Sequence, residues 1–262
     1  MNIIISFYIF SLGSILGSFY NVVGVRLPKN IPFTTSRSAC PHCTTPLQAR
    51  DLIPLFSYLI SKGKCRHCQH SISITYPLVE LVTGFLFLLA YINMGISSEF
   101  AGAILLISLA VIVTVSDLNY MLIPNKLLLF FAPSFIIFRT IQPLQPWYDS
   151  IYGALAGFGI IFVIIVLSKG GMGAGDMKLL GTLGILLGLK LTLLTLFFAT
   201  LIGTVVSLIL LSFKVIGRKD PFPFGPSIVL AAVISYLFGY DLLQFYFETF
   251  FLGGGETIVS FF

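Results

Sequence analysis

The chain has 262 residues, of which 57% are hydrophobic and 10% charged. Soluble domains carry about 25% charged residues, so this composition cannot solvate a globular surface, and it excludes disorder, which needs low hydrophobicity and high charge. A polytopic membrane protein is the class that fits; the net charge of +5 is then read as orientation, and no nucleic acid is expected as a partner.

Residues 3–23 form the first apolar run. They lack a basic flank before them and a small-residue cleavage site after them, so they read as a retained transmembrane helix rather than a removed signal. Residues 24–75 are polar and carry Pro28, Pro32, Pro41, Pro46 and Pro54. Further apolar runs follow at 76–94, 100–116, 122–141, 151–168, 177–189, 191–213 and 224–240. A span needs roughly 20 residues, so the short run 177–189 is expected to be tilted, partly buried or re-entrant. The reading is an all-α polytopic membrane protein of about eight transmembrane helices. Its parts are helix 1 (1–23), a cytoplasmic segment (24–75), a transmembrane domain (76–240) and a tail (241–262). The tail carries Gly253, Gly254 and Gly255 and reads as interfacial; no sequence repeat is visible.

Cations accumulate on the cytoplasmic side of membrane proteins. Seven of the 15 lie between Arg26 and Arg66. With that segment inside, alternation also places Lys126, Lys169, Lys178, Lys214, Arg218 and Lys219 inside, and leaves Arg139 and Lys190 outside. The acids Glu99, Asp149, Asp241, Glu248 and Glu256 then fall outside.

The four cysteines read Cys40-Pro-His-Cys43 and Cys65-Arg-His-Cys68. A two-residue gap lets both thiolates of a knuckle reach one ion, and two knuckles match a structural zinc site with four sulfur ligands. A pair of disulfides is the competing reading, and a reducing cytosol disfavours it. His42, His67 and His70 could substitute as ligands or stand beside the site. A segment this small and polar would draw much of its folding free energy from the metal.

Ionisable residues within spans are costly and mark functional candidates. Glu80 lies one turn into the second span, Asp117 ends the third, and Asp176 opens the sixth. Two close carboxylates share a proton. One can take a proton from water while the other protonates an amide carbonyl. A helix N-terminus favours the ionised form and a C-terminus the protonated form, which suggests Asp176 as initial base and Asp117 as initial acid. Taken singly, Asp176 also fits a helix N-cap and Asp117 an interfacial acid. The glycines before Asp176, Gly170, Gly171, Gly173 and Gly175, permit close approach of an extended backbone.

At these residues the sequence resembles the prepilin peptidase family, the bifunctional type 4 prepilin leader peptidase and N-methyltransferase. The resemblance runs through Leu16-Gly-Ser-Phe-Tyr-Asn21-Val-Val-Gly-Val-Arg26-Leu-Pro28, the paired cysteines, Tyr76-Pro-Leu-Val-Glu80, Asp117 with Ile123-Pro124, Gly173-Ala-Gly175-Asp176-Met-Lys178, and Pro223-Phe-Gly-Pro226. The Gly-x-Gly-Asp element is shared with other intramembrane aspartyl proteases. The resemblance implies Asp117 and Asp176 as catalytic aspartates. It implies prepilins and pilin-like proteins as substrates, cleaved at the cytoplasmic face of a bacterial inner membrane. It also implies S-adenosylmethionine as methyl donor for the new N-terminus, although no glycine fingerprint marks a donor site. Asn125 departs from the aspartate that many members carry there.

Gly173, Gly175, Lys178, Glu80, Asn21 and Arg26 are expected to support or line the site. Bland alternatives stand beside these: a small-x-x-x-small contact at Gly13 and Gly17, an anchoring role for Arg26, and a salt link for Glu80. Function has alternatives too: a peptidase without methyl transfer, an ion-coupled transporter, or a zinc-bearing scaffold. Carboxylates at span ends disfavour the transporter, whose sites lie near the midplane.

Overall fold

The structure, a computed structural model, describes residues 2–32, 38–40, 42–48, 51, 53–168, 171–217 and 220–250. Outside them lie Arg37, Pro41, Arg50, Lys169, Gly170, Arg218 and Lys219, and, in the tail, Glu256 and the three consecutive glycines. The described elements are helices: α1 (Ile3–Arg26), a 3-10 turn (Leu27–Lys29), α2 (Phe56–Ile60), α3 (Thr75–Met94), α4 (Ser98–Tyr120), α5 (Asn125–Ile141), α6 (Asp149–Leu167), α7 (Ala174–Ser212) and α8 (Gly225–Phe250).

Six of these, α1, α3, α4, α6, α7 and α8, are long and apolar enough to cross a membrane. The sequence suggests about eight spans, and the difference lies in α5 and α7. α5 has only 17 residues. α7 has 39, and Gly188 breaks it with φ 73° and ψ 177°. At about 1.5 Å per residue an unbroken α7 would be roughly twice as long as a ~30 Å hydrocarbon core, so its two halves stand for the expected runs 177–189 and 191–213.

Two boundaries move. α1 continues past residue 23 to Arg26, because nothing interrupts its hydrogen bonds before Pro28 in the following turn. α8 continues ten residues past 240. Residues 241–250 contain neither Gly nor Pro, and Gln244 Nε2 donates to Glu248 Oε1 at 2.7 Å one turn on. The first part of the expected interfacial tail is therefore the end of a helix.

The chain forms two compact units, Met1–Phe131 and Ala132–Phe262. In the first, α1 packs on α3 and α4. A Cβ at Gly17 would stand 2.8 Å from Thr83 Oγ1, and one at Gly13 2.9 Å from Phe87 Cβ. The small-x-x-x-small pattern is thus a real helix contact. Tyr20 Oη and Ser108 Oγ, 2.6 Å apart, tie α1 to α4.

In the second unit α6 packs on α7 through glycines that the sequence reading passed over. A Cβ at Gly157 would stand 2.6 Å from the Leu180 carbonyl, and one at Gly184 would collide with the Gly153 backbone. Gly184→Ala should therefore destabilise this unit by about 2 kcal/mol, within the usual range for overpacking. Denaturant titration in detergent checks it, and an unchanged midpoint would contradict the contact.

The break in α7 is clamped by charge. Arg139, buried, donates from Nε to the Leu186 carbonyl at 2.8 Å, and Asp149 Oδ2 accepts from the Leu189 amide at 3.2 Å. A cation meets the carbonyl end of one half and an anion the amide end of the other, the signs that helix dipoles favour.

Candidate functional site

The polar segment is organised by sulfur. Cys40 Sγ lies 3.8 Å from Cys68 Sγ, Cys43 Sγ lies 3.9 Å from Cys65 Sγ, and all four fall within 4.8 Å of one another. A disulfide would hold its sulfurs at about 2.05 Å, so the disulfide reading fails and the thiols are free. A tetrahedral ion at about 2.3 Å from each sulfur sets them about 3.8 Å apart; the group can hold a metal.

The two knuckles are built alike. The Cys40 amide donates to the Thr45 carbonyl and the Thr44 amide to the Cys40 carbonyl; the Cys65 amide donates to His70 and the Gln69 amide to Cys65. Thr44 and Gln69 hold matching left-handed φ values of 57° and 58°. His42 and His70 stack with ring centroids 4.0 Å apart, bracing one knuckle against the other. Thr45, through its side chain and then its amide, pulls the Cys43 thiol down to about 6. The amides of Cys68 and His67 lower Cys65. The His70 amide lowers Cys68 too, but burial and the neighbouring thiols outweigh it and push that thiol up to about 11. Four thiolates repel one another; a divalent cation among them reverses that balance.

Glu80, expected to face a basic group, accepts instead from the Leu55 amide at 2.8 Å and from the Ser18 side chain. Leu55 needs holding. Its φ of 62° and ψ of −50° place it in a strained turn, closed by the Phe56 amide on the Pro54 carbonyl at 2.6 Å. The segment's ion pair among the described residues joins Arg66 Nε to Asp51 Oδ1 at 2.9 Å. Asn21 on α1 is 2% exposed, and its Nδ2 has no partner among the described residues. Arg26, half-buried, closes α1.

Asp117 lies in the last turn of α4, 5% exposed. Its carbonyl accepts from the amide of Met121, which turns left-handed (φ 50°) and ends the helix before Pro124. Asp176 lies in the first turn of α7, 9% exposed. Its amide donates to the carbonyl of Gly173, and its carboxylate folds back so closely that a Cβ on Gly173 would stand 3.3 Å from Oδ2. Gly175 is half-buried beside it, and Lys178 is exposed on the next turn. Each aspartate thus stands at the helix end read from the sequence.

Comparison with known proteins bears on the whole chain. Residues 11–94 match the Bacterial Peptidase A24 N-terminal domain, and residues 104–208 match the Type IV leader peptidase family. A prepilin leader peptidase/N-methyltransferase of Bacillus subtilis (strain 168) is 42% identical over 240 residues, covering 92% of this chain and 97% of that protein. The chain belongs to the type IV leader peptidase family. Proteins of the same description from Aeromonas hydrophila and Neisseria gonorrhoeae are each 32% identical, covering 93% and 86% of this chain and 93% and 87% of theirs. No solved structure matches.

The family match encloses both aspartates, and the N-terminal match encloses the four cysteines. Because Gly173 is pressed by the Asp176 carboxylate, Gly173→Ala should cut peptide hydrolysis about tenfold or more, with little loss of folded protein. A steady-state cleavage assay on purified variant checks it. The sequence reading missed Leu55, whose strain shows only in the backbone, and Arg139 and Asp149, whose signal was a pair of opposite charges on either side of the short connection between two apolar runs.

Proposed function

We propose that this protein is a membrane aspartyl endopeptidase. It removes the basic leader from type 4 prepilins and pilin-like proteins at the cytoplasmic face of a bacterial inner membrane, then methylates the new N-terminus with S-adenosylmethionine. The observation that carries the reading is the placement of two buried carboxylates at opposite kinds of helix end, Asp117 at a C-terminus and Asp176 at an N-terminus.

Asp176, at a positive dipole end, takes the proton of the attacking water. Asp117 donates to the carbonyl oxygen of the scissile amide as the water oxygen bonds to its carbon. The proton gained by Asp176 then passes to the amide nitrogen, the C–N bond breaks with its electron pair to nitrogen, and a hydroxyl of the gem-diol returns its proton to Asp117. Gly173 and Gly175 leave the substrate backbone room, and Lys178, Asn21 and Arg26 support the site. Zinc is the ion for the four cysteines: sulfur-rich tetrahedral sites without an open position suit it. In this reading residues 24–75 form the zinc-bearing cytoplasmic domain and 76–240 the transmembrane protease domain. When bound, S-adenosylmethionine supplies a methyl group already activated on a sulfonium.

The test is mass analysis of a prepilin incubated with the purified protein and the donor. Loss of the leader followed by gain of one methyl at the new N-terminus is expected. An uncleaved prepilin would end the peptidase reading, and a cleaved but unmethylated product would end the methyltransferase reading.

A further inference from the structure

The first unit contains a cavity of about 120 Å³ where the polar segment meets the C-terminal half of α1, at Ser18, and the start of α3. In a chain with 10% charged residues, four charged side chains line it: Asp51, Lys64, Arg66 and Glu80, together with Tyr58 and Tyr76. Neither carboxylate is loose. Asp51 is held by Arg66 Nε and by the Gln48 amide at 3.2 Å, and Glu80 by Leu55. Tyr58 is packed against Gly63, whose φ of 69° lets its Cα face approach the ring; a Cβ there would stand 2.9 Å from Tyr58 Oη. Backbone strain at Leu55, fixed by a buried carboxylate, forms part of the same construction, and strain of this kind gathers at functional sites.

The lining has a chemical signature. Two cations suit a carboxylate, two carboxylates suit an ammonium, and tyrosine faces suit a compact cation such as a sulfonium. Pockets that enclose a whole drug-sized ligand run to about 300–1,000 Å³, so this one takes one end of such a molecule. We propose that it binds the amino-acid end of S-adenosylmethionine: carboxylate toward Lys64 and Arg66, ammonium toward Asp51, sulfonium toward Glu80 and the tyrosines, nucleoside outside the cavity. This rests on the methyltransferase reading and adds its location. Glu80 lies on α3, a helix that can cross a membrane, so the methyl group is offered where a new pilin N-terminus leaves the bilayer. There the pilin amine attacks the methyl carbon, the C–S bond breaks with its electron pair to sulfur, and the amine's extra proton passes to water.

The test is equilibrium binding of S-adenosylhomocysteine and of labelled S-adenosylmethionine to the full chain in nanodiscs, with no pilin present. Ser57→Trp and Ser61→Trp fill the cavity from α2 and its end, and should weaken binding at least tenfold. Asp51→Asn should weaken it about tenfold, the loss expected for one charge-assisted hydrogen bond. Metal content and prepilin cleavage should stay at the wild-type level. Variants that bind as wild type overturn the location alone. A wild-type protein that binds neither probe overturns the methyltransferase reading with it. Intact donor binding with a raised KM for prepilin would mean that the cavity takes the basic leader, and also overturns the proposal. If the tryptophan variants lose metal, unchanged affinity in Asp51→Asn decides against it.

Discussion

Asp117→Asn and Asp176→Asn should each lower prepilin cleavage by about a thousandfold or more, within what loss of general acid–base catalysis costs. The amide keeps the size and most hydrogen-bonding capacity of the carboxyl group but cannot exchange a proton. Each aspartate is nearly fully buried at the end of an apolar helix, where ionisable groups are costly to keep. Asp220→Asn is the comparison: Asp220 is exposed and accepts from the Gly217 amide at 2.6 Å in a loop, and its loss should leave cleavage within about twofold. The pH profile sharpens the test. Two carboxyls acting as acid and base give a bell whose limbs belong to the pair; each asparagine variant should lose the bell, not merely shift it. Methylation of a pre-cleaved pilin should continue in both. Cleavage at the wild-type rate by either variant would remove that residue from the mechanism.

What was legible in the sequence was what chemistry writes locally. Cys40-Pro-His-Cys43 carries its spacing within one turn, so the metal cage could be read without knowing the fold. The break in α7 was legible to within a few residues, because Lys190 interrupts an apolar run just beyond Gly188. Asp117 and Asp176 stood out because charge is scarce. What was not legible was whatever depends on a backbone partner. Glu80 looked like half of a salt link, but its partner is the Leu55 amide, and an amide has no letter of its own. Arg139 and Asp149 were sorted by topology, whereas they act on the carbonyl and amide exposed at a helix break. Gly153 and Gly184 are unremarkable in apolar sequence until two helices bring them into contact.

Removing the metal should separate the two activities. Cys40→Ser or Cys65→Ser leaves three sulfurs where four stand within 4.8 Å, and metal should fall from one ion per chain toward none. Structural zinc contributes about 10–16 kcal/mol of folding free energy in small domains, far more than this segment can replace from its own packing. The consequence follows from position. Lys64 and Arg66 flank Cys65, and with Asp51 they line the proposed donor cavity, so loss of the cage scatters the groups that hold the donor. Asp117 and Asp176 lie on α4 and α7, whose helices draw no ligand from the cage. Methyl transfer to a pre-cleaved pilin should therefore drop at least a hundredfold, while leader cleavage stays within about tenfold. The Leu55–Glu80 bond, which needs no metal, should keep the base of the segment against α3 and limit the effect on cleavage. Elemental analysis, a labelled methyl assay and a cleavage assay on one preparation check this. Full methyl transfer by metal-free protein would detach the cage from the donor site, and equal loss of both activities would mean that the cage also supports the aspartates.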